Sequence, residues 1–570
     1  MQLQNMLPLL KSTRGYNRET LIADLLAAVI VTIMLIPQSL AYSLLAGLPA
    51  EIGLYASILP LIVYACFGSS RALAVGPVAV ASLMTASALA GFAEQGTAAY
   101  LAGAITLALL SGLFLLLLGL LRMGFLAYLL SHPVVSGFIT ASGILIAFSQ
   151  LKHALGIDIH GQTVVEMGQT LFLNWGDINL YTVVIGALVI LFLVWSRSGA
   201  MSLLVRLNVP QHRASLLAKA SPIVGVIVTI IITMGLDLDS KGVAVVGSVP
   251  GGLPQLAFPS MSFAMVEQLY LHAIMISIIG YVESVSVGKT LAAKRRQRID
   301  VNQELIGLGA ANVASAVSGA FPVTGGFSRS VVNFDAGAVT QMASIFCALG
   351  IALVSMFLTP ALHYLPKATL AATIIVAVLS LIDLKILRKT WRFSKSDFAG
   401  VSMTIVVTLL LGVETGVACG VITSIALHLL RTSMPHIAEV GLIEGTEYFR
   451  DVRRYLVTTV PEILSLRMDE SLFFANVHHL EGRIYDSVFQ KDKIAHVILQ
   501  CSALSEIDAS ALEVLEAINA QLAEQGVQLH FSEVKGPVMD TLERAGFLPH
   551  VSGRVFLTQF EAFREVRALL

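Results

Sequence analysis

From residue 23 to residue 432 the chain is a succession of apolar runs separated by short polar connectors. A helix needs about 20 apolar residues to cross a bilayer. On that measure the runs predict fourteen spans, centred near residues 35, 60, 84, 110, 140, 188, 228, 275, 312, 333, 350, 375, 405 and 422. Two runs are interrupted. Ala72–Ala81 and Ala320–Val332 each read as a short extended stretch, a Gly76-Pro77 or Gly325-Gly326 break, and then a helix, about 249 positions apart. Pro37-Gln38, which breaks the first run, and Glu283 lie about 245 apart, so landmarks recur at nearly the same offset. A repeat of seven spans is odd and therefore sits inverted in the membrane. Interrupted helices in corresponding halves, with their N-termini aimed at the bilayer midplane, are where membrane transporters hold substrate.

Beyond His436 the pattern changes to short alternations typical of strands and small helices. Tyr455–Thr458, Ile463–Arg467, His496–Leu499 and Val527–Phe531 are expected strands. Helices are expected from Asn476, as a cap, to Val488, from Asp508, as a cap, to Leu522, and from Pro537 to Ala545. Such alternation gives a small α/β layer fold. The organisation is thus an N-terminal segment (1–22), a transmembrane domain (23–432), a linker (433–445) and a soluble domain (446–570).

Composition agrees. The chain is 56% apolar and 13% charged, against the roughly 25% charged residues of a soluble domain. Residues 1–431 hold 24 Lys and Arg against 17 Asp and Glu, a net of +7; residues 432–570 hold 12 against 20, a net of −8. With the N-terminus inside, sixteen basic residues fall in cytoplasmic connections, among them Arg71, Arg122, Arg213, Lys219, Lys294, Arg295, Arg296 and Arg298, and three (Lys152, Lys241, Lys367) in external ones. This bias places both termini in the cytoplasm of a bacterial-type inner membrane. The first run follows Lys11, Arg14 and Arg18, is too long for a signal-peptide core and reads as a retained span. Cys66, Cys347, Cys419 and Cys501 have no metal or disulfide spacing. No phosphate loop, catalytic triad or basic patch with interleaved aromatics stands out, so neither an enzyme nor a nucleic-acid binder is expected.

Ile36–Tyr42 (IPQSLAY), Gly53-Leu-Tyr55, Gly76–Val80 (GPVAV), Glu283-Ser284 and Gly325–Ser330 (GGFSRS), in this order, resemble the sulfate permease (SulP) family of anion transporters. Ile507–Leu512 (IDASAL) resembles the STAS domain that follows in that family. The resemblance implies a seven-plus-seven inverted repeat divided into core and gate subdomains, elevator movement, a homodimer, and a centre built by spans one, three, eight and ten. It implies substrate contact for Gln38 and Tyr42, which are four apart and share a helix face. Ser510 stands where phosphorylatable STAS domains carry a serine, and such a tail also serves cytoplasmic protein partners.

Several residues carry chemistry on their own account. Arg329 inside an apolar stretch costs roughly 2.5–3.5 kcal/mol on insertion scales, so it serves an anion site or an ion pair with Glu283 or Asp335. Glu283 in mid-span carries a proton, binds a cation or is paired. Sodium-coupled relatives tend to place a hydroxyl four residues after the acid, where this chain has Val287, so H+ is the expected coupling ion and no cofactor is expected. Val78 and Ala79 on one half-helix, with Gly326, Phe327 and Ser328 on the other, are expected to offer backbone amides to an anion, or to pack tightly as small residues. Moving one charge across 100 mV is worth about 2.3 kcal/mol. A dianion with one proton is opposed by that amount, so sulfate needs more protons, exchange or a steep inward concentration gradient, while bicarbonate does not; C4-dicarboxylates and a passive anion channel remain alternatives.

Overall fold

The computed structural model describes residues 7–570 except 14, 129–131, 160, 162, 209, 211–213, 215–217, 219–220, 257–261 and 492. Arg14, Arg213 and Lys219 of the charge-bias reading lie outside the described residues. The chain forms two compact units, Met1–Ser424 and Ile425–Leu570. The division falls within the helix Val413–Ser433.

The first unit is helical and built twice over. A short α1 (Pro8–Ser12) precedes α2 (Arg18–Leu45), the interrupted pair α3 (Ala50–Tyr55) and α4 (Leu59–Phe67), and the extended β1 (Val75–Gly76), which leads into the half-helix α5 (Ala79–Ala90). Then come α6 (Ala98–Leu120), α7 (His132–Leu155), the amphipathic α8 (Val164–Leu173), and α9 (Leu180–Trp195). A π turn carries α9 into α10 (Met201–Arg206), and α11 (Ser221–Leu236) closes the half. The second half repeats the order: α12 (Phe263–Lys294), α13 (Val301–Val317), β2 (Thr324–Gly325) with the half-helix α14 (Phe327–Asp335), α15 (Met342–Phe357), α16 (Lys367–Leu379), the amphipathic α17 (Lys385–Phe393), α18 (Lys395–Leu411) and α19 (Val413–Ser433). All fourteen expected spans have a helix at their centre, and each half carries one surface helix after its fifth span. Pro37 does not break α2 as the sequence suggested. The helix runs through it, at the loss of one N–H donor.

Helices α4, α6, α12 and α13 pack as one group and α7, α9, α16 and α18 as another, the core and gate of the fold. In the core, α6 and α13 approach at glycines. A Cβ on Gly309 would stand 2.8 Å from the Leu116 amide nitrogen, and one on Gly112 would stand 2.7 Å from that of Val313. Without a hydrophobic drive between helices in lipid, such contact supplies the dispersion energy that holds them. Two buried carboxylates tie loops to helices. Glu304, fully buried on α13, accepts from Tyr64 Oη (2.7 Å), Ser69 Oγ (2.7 Å) and the amides of Ser69 and Ser70. Asp24 on α2 accepts from Tyr16 Oη, Thr340 Oγ1 and the amides of Val339 and Thr340.

The second unit is a six-stranded mixed sheet in the order β4-β3-β5-β6-β7-β8. Its strands are β3 (Ile437–Leu442), β4 (Phe449–Asp451), β5 (Ile463–Met468), β6 (His496–Gln500), β7 (Gln528–Ser532) and β8 (Val555–Phe556). The pairs from β5 to β8 are parallel and those of β3 antiparallel. Helices α20 (Val477–Gln490), α21 (Ala509–Glu524) and α22 (Gly536–Arg544) cover one face, and α23 (Gln559–Ala568) the other. Strand β6 is buried at every position, which is why it reads as an unbroken apolar run. Three sequence readings need correction. Tyr455–Thr458 is not a strand; only Thr458 bridges, to Leu442. Strand β3 and the edge strand β4 were not foreseen, since half-polar strands give little pattern. Asn476 precedes α20 but caps nothing there, its Oδ1 accepting from the Phe473 amide instead. Asp508 does cap α21, accepting from the Ala511 amide at 2.8 Å.

His530, 1% exposed, lies beside His496 in neighbouring parallel strands. The Arg554 amide donates to its Nδ1 (3.0 Å), which leaves the Nε2 proton to be donated to His496 Nδ1 (3.1 Å). Burial, then His496 and Arg554, push the His530 pKa down to about 4, and burial lowers His496 too. The folded domain therefore binds fewer protons than the unfolded chain, whose histidines titrate near 6.5. The stability that this pair contributes is full above pH 6.5 and is lost as pH falls through about 4. Thermal unfolding of the 437–570 fragment at pH 7.5 and pH 5 is expected to show this drop, and His530→Gln to flatten it. In the membrane unit, Gly309→Ala is expected to destabilise by about 1–3 kcal/mol through overpacking, read as a lowered unfolding temperature of the detergent-solubilised chain.

Candidate functional site

The two interrupted stretches meet. β1 and β2 pair antiparallel, Val75 opposite Gly325 and Gly76 opposite Thr324, so the half-helices α5 and α14 start from a common crossing. The crossing leaves main-chain groups unpaired inside a membrane protein, where water is scarce. Side chains from three helices answer them. Asn312 on α13 donates to the Val323 carbonyl and accepts from its amide, both at 2.9 Å. Ser284 on α12 receives the Gly325 amide (2.9 Å) and bonds Thr324 Oγ1 (2.7 Å). Ser330 on α14 receives the Ala74 amide at 3.0 Å.

Arg329 holds the centre. It is 2% exposed, and its guanidinium donates to four carbonyls: Ala74 (2.8 Å), Pro77 (2.7 Å), Gly76 (2.7 Å) and Thr324 (2.8 Å). Neither Glu283 nor Asp335 is bonded to it among the described residues, so the ion pair weighed from sequence is replaced by carbonyls the break itself frees. The glycines are required by space. A Cβ on Gly326 would stand 2.6 Å from Arg329 Nε, and one on Gly325 would stand 2.7 Å from Leu73 Cδ1.

Both half-helices begin without a side-chain cap, at Val78 and at Gly326. Their first internal bonds run from Ser82 to Val78 and from Ser330 to Gly326. The amides of Ala79, Val80, Phe327 and Ser328 are therefore not used within the helices, and each helix end adds about half a positive charge. A cavity of about 40 Å³ lies against them. One water needs roughly 10–15 Å³, so the space is that of a few waters. All of Gln38, Tyr42, Val78, Ala79, Glu283, Gly326, Phe327, Ser328 and Arg329 line this cavity. Gln38 and Tyr42 come from α2, each 8% exposed, whereas Phe327 is 47% exposed and stands on the open side. The Glu283 carboxylate, partly buried on α12, has no hydrogen-bond partner among the described residues. It also lines a smaller apolar cavity with Val134, Phe138, Ile279 and Thr404.

The wall facing these residues is Ala377, Val378 and Leu381, at the end of α16 and just beyond it. Sequence reasoning missed them. They carry no polar signal that a reading of the sequence could use. Ser510 lies elsewhere, exposed in the first turn of α21, two residues after the cap Asp508.

Comparison with known proteins follows this geometry. Residues 21–404 match the sulfate permease family and residues 454–562 the STAS domain. The chain is 35% identical over 548 residues to "Sulfate transporter 4.1, chloroplastic" of Arabidopsis thaliana, covering 94% of this chain and 78% of that one. It is 32% identical over 557 residues to "Probable sulfate transporter MT1781" of Mycobacterium tuberculosis, covering 97% of each. Among solved structures it is similar to SLC26A9, with a TM-score of 0.90 at 23% identity over 100% of this chain and 93% of that one. It is also similar to the transmembrane domain of the cyanobacterial bicarbonate transporter BicA, with a TM-score of 0.60 at 21% identity over 72% of this chain and 98% of that one. Two broken helices crossed at a buried arginine, in a twice-repeated bundle followed by a STAS sheet, thus have their counterpart in sequence: the chain belongs to the sulfate permease family of multi-pass membrane anion transporters.

Proposed function

We propose that the chain is a secondary active transporter of a small inorganic anion, sulfate first, coupled to protons and working by elevator movement of the core against the gate. The observation that carries this reading is the small cavity bounded by two uncapped half-helix N-termini and by Glu283. Sulfate is favoured because the relatives in two distant organisms are named sulfate transporters. The chain is proposed to work as a homodimer with both termini in the cytoplasm, as the bias of basic connections suggests.

In this mechanism the anion is bound by amides of α5 and α14, by the Ser328 hydroxyl, and by Gln38 and Tyr42 from α2. Arg329 acts through its field, since four of its five N–H groups are committed to carbonyls. The helix ends together supply roughly +1 and Arg329 adds one more, while Glu283 subtracts one only when ionised. Protonating Glu283 therefore raises the positive charge of the site and favours anion binding. At about 5 Å and an effective dielectric of about 20, one unit charge is worth roughly 3 kcal/mol, enough to couple the two ions tightly. A loaded site moves between sides with the core, past the apolar gate wall of Ala377, Val378 and Leu381.

Two measurements test this. Proteoliposomes holding the full chain are expected to accumulate radiolabelled sulfate faster with an acidic exterior than at equal pH; no sulfate flux in either condition would remove sulfate as substrate, and unlabelled bicarbonate and succinate as competitors then rank the alternatives. Glu283→Gln is expected to keep sulfate binding but to lose the dependence of flux on pH. An unchanged pH profile would take Glu283 out of the coupling role.

A further inference from the structure

A second cavity of the membrane unit lies apart from the anion site. It is a basin of about 940 Å³ at one end of the core, where α4, α6 and α12 end and α13 begins. Five cations stand in its wall: Lys11, Arg71, Arg122, Arg295 and Arg298; the one carboxylate there is Asp300. Asp300 is engaged, accepting from the amides of Asn302 and Gln303 as the cap of α13. Arg295 is engaged too, donating to the carbonyls of Ala338 and Phe334 and lying 4.2 Å from the Phe334 ring centroid. The other four make no side-chain hydrogen bond or ion pair among the described residues.

A second observation concerns Arg122. It follows α6 in the left-handed conformation, with φ of 57°, in a turn closed by Met123 N to Leu118 O at 2.9 Å. Glycine is the usual residue at this helix-end position, because a side chain there is strained. The chain keeps a cation at the basin edge against that local preference. The basin also lies at the level where spanning helices end, the depth at which lipid headgroups sit. Basic pockets between membrane helices recognise phosphorylated headgroups through such clustered Lys and Arg.

We infer that this basin is a binding site for a phosphate-bearing anion, separate from the transport cavity and carried on the core subdomain. Arg71, Arg122 and Arg298 are the residues that hold the phosphate, with Lys11 of α1 closing over it. A headgroup phosphate of an anionic lipid and a free phosphate species present the same chemistry to these guanidinium groups. An occupant here rides on the core, so it is placed to bias core movement without touching the transported ion.

The test uses the purified full chain and reads binding, not transport. In one arm, native mass spectrometry compares retention of phosphatidylglycerol with that of phosphatidylcholine. In the other, inorganic pyrophosphate is titrated calorimetrically. The triple variant Arg71→Gln/Arg122→Gln/Arg298→Gln is expected to weaken binding on the order of 100-fold, taking about fivefold per cation near an anionic headgroup. The single variant Arg298→Gln, exposed and unable to disturb folding, is expected to weaken it about fivefold. Arg388→Gln/Lys389→Gln on α17 is expected to leave binding unchanged. Retention of phosphatidylglycerol with no pyrophosphate signal assigns the site to lipid, and the reverse assigns it to a soluble phosphate. Binding of neither probe by the unaltered chain, equal binding by the triple variant, or an equal loss in the α17 variant would overturn the proposal.

Discussion

A backbone broken in the middle of a membrane protein must find partners for its amides and carbonyls, and here one guanidinium serves four of the carbonyls. Arg329 donates to Ala74, Gly76, Pro77 and Thr324, joining the two interrupted segments through their main chains. An unpaired backbone group in hydrocarbon costs several kcal/mol, and a buried cation without partners costs more. Each problem answers the other. The carbonyls neutralise the arginine's need for donors' partners, and the arginine spares the carbonyls from burial alone.

That arrangement has a consequence for anion recognition. Because the carbonyls face the guanidinium, the amides at the opposite ends of the same peptide runs are left to the cavity. The half-helices α5 and α14 therefore present their positive ends to one small space, with no side-chain cap competing for them. Ser284, Asn312 and Ser330 hold the crossing from the sides, and Gly325 and Gly326 keep it thin enough for the guanidinium to fit. Every one of these polar contacts lies within the core. The gate contributes only the apolar side chains of Ala377, Val378 and Leu381 to the cavity.

The two units obey different physics. In the membrane unit, burial of charge is managed locally, as at Glu304 and Asp24, whose oxygens are filled by hydroxyls and loop amides. In the STAS unit, ordinary hydrophobic burial on both faces of a sheet dominates, and its buried polar groups include the hydrogen-bonded His496–His530 pair. The first unit is thus organised by satisfying polar groups and the second by removing apolar surface from water.

Hydropathy marked the fourteen spans, because lipid imposes length on every crossing helix, while the Gly76-Pro77 and Gly325-Gly326 breaks and their matched offset pointed to the repeat and to the interrupted third and tenth segments. The motif order gave the family, and the gathering of Gln38, Tyr42, Val78 and Ser328 about one centre was legible from it. Alternation and short apolar runs also revealed β5, β6 and β7, whose residues facing α20, α21 and α22 are apolar. Tertiary structure decided the rest. That Arg329 bonds carbonyls and not Glu283 depends on a crossing of segments 250 residues apart, which no local pattern encodes. The gate wall at Ala377, Val378 and Leu381, the antiparallel strands β3 and β4, and the clustering of Arg71, Arg122 and Arg298 in one basin likewise depend on which surfaces meet. Sequence fixes what each segment must bury or pair; only packing chooses its partner.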